Sequence, residues 1–219
     1  MIKEIEIKVP TNWNDIPLKK WLELQKDIKN YEGEEDAVTA LLFLHLCGLE
    51  AEYVSGLNVE DYRIIKNELA SFMNNIDLPL KKIIEIDGVE YGFEPNLSQL
   101  AYGAYADITK YENITIDDNW AKIMSILYRP IIEKKSDMYS IKSYTGEQNE
   151  SLFLNVGMDV HFGALFFLLT LSMDLLKGIL KSTKGMEVPP NMQSILERSG
   201  EVTLHLLNSQ TEMFLKSIR

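Results

Sequence analysis

Residues 156–180 read VGMDVHFGALFFLLTLSMDLLKGIL, the longest apolar stretch of the chain. A core, a membrane or a partner can each claim such a segment, and the choice decides the fold. The uninterrupted apolar part runs from Phe162 to Met173, with Thr170 and Ser172 as its polar members. Spanning a bilayer takes about 20 apolar residues, and this run is much shorter. Asp159 and His161 precede it, Asp174 cuts it, and Lys177 and Lys181 follow. Each charge near mid-membrane would cost roughly 2.5–3.5 kcal/mol. The segment therefore reads as the central helix of a soluble, α-rich domain. Gly157 and Gly163 on it are expected to let another helix approach closely.

Composition agrees with a globular protein. The 219 residues are 46% hydrophobic and 25% charged, enough to bury a core without covalent staples. The net charge of −11 argues against a general nucleic-acid binder, because phosphate neutralisation needs clustered Lys and Arg. The single cysteine, Cys47, sits in an apolar run, where it reads as a buried structural thiol. It cannot form an internal disulfide, which fits a reducing cytoplasm. The opening MIKEIEIKVP alternates charge with isoleucine and has no apolar leader.

Upstream of the long segment the patterning switches between periods. Ile5, Ile7 and Val9 alternate with charged residues, a strand closed by Pro10. Asp15 and Pro17 then suit the start of a helix with Leu18, Trp21, Leu22 and Leu24 on one face, and Trp13 can pack back on it. A second helix spans 37–47, opened by the acidic 34–36 and ended by Gly48. A third follows Asn58, a cap with Asp61 in its first turn. In KKIIEIDGVEYGF (81–93), Asp87-Gly88 makes a two-residue hairpin turn. This hairpin and the N-terminal strand are expected to share a small sheet. Helices are expected over 97–111 and 119–127, the second ending near Tyr128-Arg129-Pro130. A weak alternation follows over 138–144, then a polar loop over 145–151.

The expected fold class is mainly α (α+β): a multi-helix domain with a small antiparallel sheet (Ile5–Val9, Ile83–Phe93) and two long C-terminal helices. Residues 1–184 form the helical body. Gly185 and Pro189-Pro190 mark a hinge to residues 185–219, whose helix over 191–219 is docked or binds a partner.

Little chemistry is legible. His45, His161 and His205 have no second ligand at metal spacing. No phosphate-binding glycine motif is present. The acidic run 32–36 lacks the spaced oxygens of a calcium loop. Tyr102 and Tyr105 are expected to pack in the core or line an interface. Arg129, inside ILYRPII, needs a carboxylate if buried, with Asp159 or Asp174 as partner. A dispersed enzyme site would have to use Arg129, Asp159 and His161. Candidates for structural or partner-contact roles are Trp13, Trp21, Arg129, Pro130, Phe162, Phe166, Phe167, Met192 and Met213. No catalytic residue, metal or cofactor is expected.

The order of VPTNWNDIPLKKWLEL, ILYRPII, the strand near 139–144 and FLNVGMDVHFGALFFLL resembles small helical proteins of tailed bacteriophages, from phages of Bacteroidetes-type hosts. These are called tail assembly chaperones. The resemblance covers roughly residues 5–180. It implies a non-enzymatic protein in the host cytoplasm, without membrane or nucleic-acid partners. Such a protein binds the long tape-measure protein during tail building and can self-associate. The alternative is a structural virion component such as a connector, hub or baseplate protein.

Overall fold

The computed structural model describes residues 7–31, 33–74, 78–111, 115–136 and 138–182; for 173 and 175–182 it describes the backbone alone. The fold is α+β. The described residues form the helices α1 (Leu18–Ile28), α2 (Glu35–Cys47), α3 (Ala51–Val54), α4 (Val59–Met73), α5 (Tyr102–Ile108), α6 (Trp120–Leu127), α7 (Glu150–Phe153) and α8 (Met158–Ser182). Strands β1 (Ile83–Ile86), β2 (Val89–Phe93), β3 (Tyr128–Lys135) and β4 (Met138–Ile141) make one antiparallel sheet in sequence order. The expected helix over 191–219, with Met192 and Met213, lies outside the described residues.

Helix α1 buries Leu18, Trp21, Leu24 and Ile28, a stripe at helical spacing. Its start differs from the expectation. Asp15 belongs to a 3₁₀ turn (Trp13–Asp15) and accepts the Thr11 N–H at 3.1 Å, while Pro17 is the N-cap and offers no side-chain oxygen. The open donors of the first turn go to the loop before α8 instead. Leu18 N–H donates to Val156 O at 3.0 Å and Lys19 N–H to Leu154 O at 2.9 Å. In return, Met158 N–H donates to Ile16 O at 2.9 Å. Two helix starts thus satisfy each other across the chain, where isolated ends would leave four N–H groups apiece unpaired.

Gly157 and Gly163 permit close approach, but to the 3₁₀ turn and to irregular chain respectively rather than to an α-helix. A Cβ at Gly157 would lie 2.7 Å from the Asn14 backbone, and one at Gly163 would lie 2.6 Å from Pro79 O. The start of α8 is thereby clamped between the 3₁₀ turn and the segment at Pro79.

Helices α2 and α4 follow the sequence expectation. Gly48 ends α2 in the left-handed region (φ 69°), and the Asn58 side chain accepts the Asp61 N–H at 2.8 Å. In the sheet, Asp87 (φ 51°) and Gly88 (φ 77°) supply the positive φ values of the β1–β2 turn.

One sheet expectation is corrected. Residues 7–9, the described part of the predicted strand Ile5–Val9, are irregular. Ile7 and Val9 instead rest partly buried on the core, which satisfies their alternation without a ladder. At ILYRPII the helix ends where the sequence places its end, at Leu127, and the chain passes directly into β3, which contains Pro130. Lys142 N–H donates to Pro130 O at 2.8 Å, and the return bond is the one a proline cannot make. That missing bond falls just past the end of β4, where it costs least. Beyond it a register shift between Ile131 and Glu133 leaves Ile132 as a bulge, 63% exposed.

Candidate functional site

The base of α8 sits in an aromatic cluster. Trp13 packs edge-on against Trp21, Phe72 and Phe162 with ring centroids 5.6, 5.2 and 4.9 Å apart. Phe162 stacks on Phe166 at 5.9 Å, and Phe167 meets Phe93 of β2 edge-on at 5.6 Å. Such pairs add roughly 0.5–1.5 kcal/mol each beyond their buried area. Trp13, Trp21 and Phe162 are core residues, holding α1, α4 and α8 together. Gln25 reinforces this with its amide oriented to accept the Trp21 Nε1–H and to donate to Ile116 O, both at 3.1 Å.

Burial changes abruptly along α8. Every residue from Met158 to Leu165 is buried. Phe166, Phe167, Leu168, Leu169 and Leu171 are each only partly buried, and Thr170, Ser172 and Asp174 are exposed. Successive helical residues point about 100° apart. Large apolar side chains therefore emerge around the helix where it leaves the body. A helix apolar on all sides ordinarily lies inside a protein or a membrane. No helix among the described residues is long and apolar enough to cross a membrane.

A polar feature lies beside the base. Asp159 is 7% exposed and bonds Lys81, while its Oδ1 has no hydrogen-bond partner among the described residues. Its place in the first turn of α8 favours the negative charge. Lys81 is held by its own carbonyl, which accepts the Tyr128 hydroxyl at 2.6 Å. Lys81 and Asn14 line two adjoining clefts. One, of about 350 Å³, includes Trp13, Phe72, Pro79 and Asp159. The other, of about 610 Å³, runs along β1 from Ile83 to Asp87 and faces Leu152, Asn155 and Val160. Strand β1 is an edge of the described sheet. Ile84 and Ile86 share the alternating ladder positions with β2, so the main-chain groups of Ile83 and Glu85, two residues that line this cleft, point away from β2.

His161 and Arg129 are each held by a partner. His161 is fully buried; its Nδ1 accepts from Trp120 Nε1 at 3.1 Å, and its Nε2 lies 3.1 Å from Phe153 O. The Trp donor requires a bare Nδ1, which puts the proton on Nε2. Burial pushes the His161 pKa down to about 4. Arg129 pairs with Glu94, both side chains 11% exposed, so its carboxylate is neither Asp159 nor Asp174 as expected. The register explains this: Arg129 lies opposite Gly92, two residues from Glu94 and on the same sheet face. Arg129 Nε has no hydrogen-bond partner among the described residues, and the residue lines a small cleft of about 160 Å³ with Tyr144 and Lys142. Burial raises the Cys47 thiol to about 11, which makes it a poor nucleophile at neutral pH.

The structure therefore does not bring Arg129, Asp159 and His161 into one set; each is held by a different partner. Tyr102 and Tyr105 are not core residues, being 84% and 57% exposed on α5. Pro130 is partly buried within β3. Of the residues singled out from sequence, Phe166 and Phe167 stand where α8 emerges. Lys81, Glu94 and Trp120 were missed, because their roles arise from pairings 35 to 78 residues apart in the chain. No protein-family model, curated protein or solved structure gives a significant match to the chain.

Proposed function

We infer that the chain is a non-enzymatic assembly chaperone of a tailed phage, acting in the host cytoplasm and holding a helical client of the tape-measure kind. The single observation that carries this reading is the partly exposed apolar girth of α8 at Phe166–Leu169 and Leu171. An amphipathic client helix can lay its apolar stripe against such a surface, the helix-in-groove mode of recognition. The resemblance of the sequence order to tail assembly chaperones supports the same reading, and the acidic charge of −11 fits a basic partner.

Co-expression tests it. A long, helix-rich client that is insoluble alone should become soluble and co-purify with the full chain. Equal solubility with and without the chain contradicts the reading. Mass spectrometry of purified particles separates the chaperone from a structural component: the chaperone is absent from mature particles, whereas a connector or baseplate protein is present at fixed copy number.

A further inference from the structure

We propose that the open edge of β1 takes up an extended, basic peptide segment of a partner as a further strand of the described sheet. The cleft of about 610 Å³ is lined by every residue from Ile83 to Asp87. A cleft over one face of a strand would meet alternate residues only. Consecutive lining therefore places this cleft along the edge of β1. Its other wall includes Leu152 of α7, Asn155, and Val160 of α8. The result is a slot with β1 on one side and helix on the other, which suits a single inserted strand.

The edge offers main-chain groups to such a strand. Ile84 and Ile86 turn theirs to Tyr91 and Val89 of β2, so the N–H and C=O of Ile83 and Glu85 point the other way. Neither residue makes a main-chain hydrogen bond outside the ladder among the described residues. They stand roughly 6.8 Å apart along the strand, the spacing at which alternate residues of any extended peptide present their own N–H and C=O. In strand addition these main-chain bonds give affinity and the side chains give choice.

Charge selects the occupant. Lys81, at one end of the slot, is already paired with Asp159. Glu85 and Asp87 are exposed and have no ion-pair partner among the described residues. Asp159 is 7% exposed, and its Oδ1 has no hydrogen-bond partner among the described residues. A Cβ at Gly157, which lines the slot, would stand 2.7 Å from that oxygen. Three carboxylates thus face one ammonium, and opposite charges across neighbouring strands attract. A peptide with Lys or Arg opposite Glu85 fits this surplus. A second copy of the chain fits it poorly: its net charge is −11, and its own β2 would have to lie where α7 and α8 form the wall. This docking does not rest on the chaperone reading.

The test is amide hydrogen exchange of the full chain, read by NMR, with the synthetic probe acetyl-Lys-Val-Arg-Val-Thr-Val-amide. Saturating probe should slow exchange of the Ile83 and Glu85 amides at least tenfold. The probe with Glu in place of Lys and Arg should bind at least tenfold more weakly, and so should the basic probe N-methylated along its main chain. Glu85→Gln with Asp87→Asn should shrink the preference for the basic probe at least threefold. Glu85→Pro removes one outward N–H and leaves the bonds to β2 in place, so it should also weaken binding at least tenfold. Should that variant fail to fold, the N-methylated probe on the native chain decides the same point. No binding up to ~1 mM probe, equal binding of the acidic probe, or binding that leaves the Ile83 and Glu85 amides unprotected overturns the proposal. Protection of these amides that grows with protein concentration in the absence of probe assigns the edge to a second copy and overturns it as well.

Discussion

Trp120 donates its indole N–H to Nδ1 of His161 across 41 residues of sequence, at 3.1 Å, inside the core. The pair fixes the imidazole as a neutral tautomer and ties α6 to the base of α8. Its consequence is a pH dependence with a definite sign. The His161 pKa falls from 6.5 when unfolded to about 4 when folded, because burial disfavours the cation. Above pH 6.5 neither state binds the proton and the full stability is present. Between pH 6.5 and 4 only the unfolded chain takes it up, so stability falls with pH and levels off below about 4. The interval corresponds to roughly 3 kcal/mol. Urea unfolding of wild type and His161→Gln at pH 7, 5.5 and 4 measures it. The variant should be less stable at pH 7 by ~1–3 kcal/mol and should lose less between pH 6.5 and 4. Equal losses would contradict the assignment.

Gly163 opposes two effects that magnitude separates. Alanine in a helix interior gains about 1 kcal/mol over glycine. At Gly163, however, the added Cβ would stand 2.6 Å from Pro79 O and 3.1 Å from Pro79 C, main-chain atoms that cannot rotate away. Overpacking costs roughly 1–3 kcal/mol, so Gly163→Ala should lower stability. Gly103 of α5 is the contrast, with its nearest neighbour 3.5 Å away on the Tyr144 ring. Gly103→Ala should raise stability by up to about 1 kcal/mol. Thermal melts of the two variants should move in opposite directions.

Arg129 and Glu94 form a nearly buried ion pair, so the cost of breaking it differs from the cost of deleting it. Glu94→Gln leaves an uncompensated guanidinium whose Nε already has no hydrogen-bond partner among the described residues, and should cost about 3–5 kcal/mol. Replacing both, with Arg129→Met and Glu94→Leu, removes the charge and its desolvation together. The double variant should exceed Glu94→Gln in stability by roughly 2 kcal/mol or more. A double-mutant cycle in urea checks this; a double variant less stable than either single change would refute it.

How far these features were legible follows from the range of the interactions. The Asp87-Gly88 turn, the Asn58 cap and the Gly48 stop are local, set by φ preferences and by side chains reaching their own backbone, and the structure carries them as read. The α1 start was misread because its open N–H groups are satisfied by Leu154 and Val156, which no local rule connects to Pro17. The end of α6 near Pro130 is legible from the proline, but the strand that follows is not. In β3 the proline's missing donor falls beyond the partner strand, a fact of register that spacing alone does not contain. The N-terminal alternation was real, but Ile7 and Val9 use it to pack on the core rather than to pair. For the site, the apolar run of α8 was visible in the sequence. Where its burial stops was not, since that depends on how high the body reaches around it.

The central claim is that the emergent half of α8 is the seat of a helical client. It is tested most directly by co-expressing client with the full chain carrying Leu168→Asp and Leu171→Asp. Both residues are already partly exposed, so the fold should persist by circular dichroism. The soluble, co-purified client should fall at least tenfold relative to wild type, consistent with roughly 1.4 kcal/mol or more of lost binding. Undiminished recovery of client by the folded double variant would contradict the account.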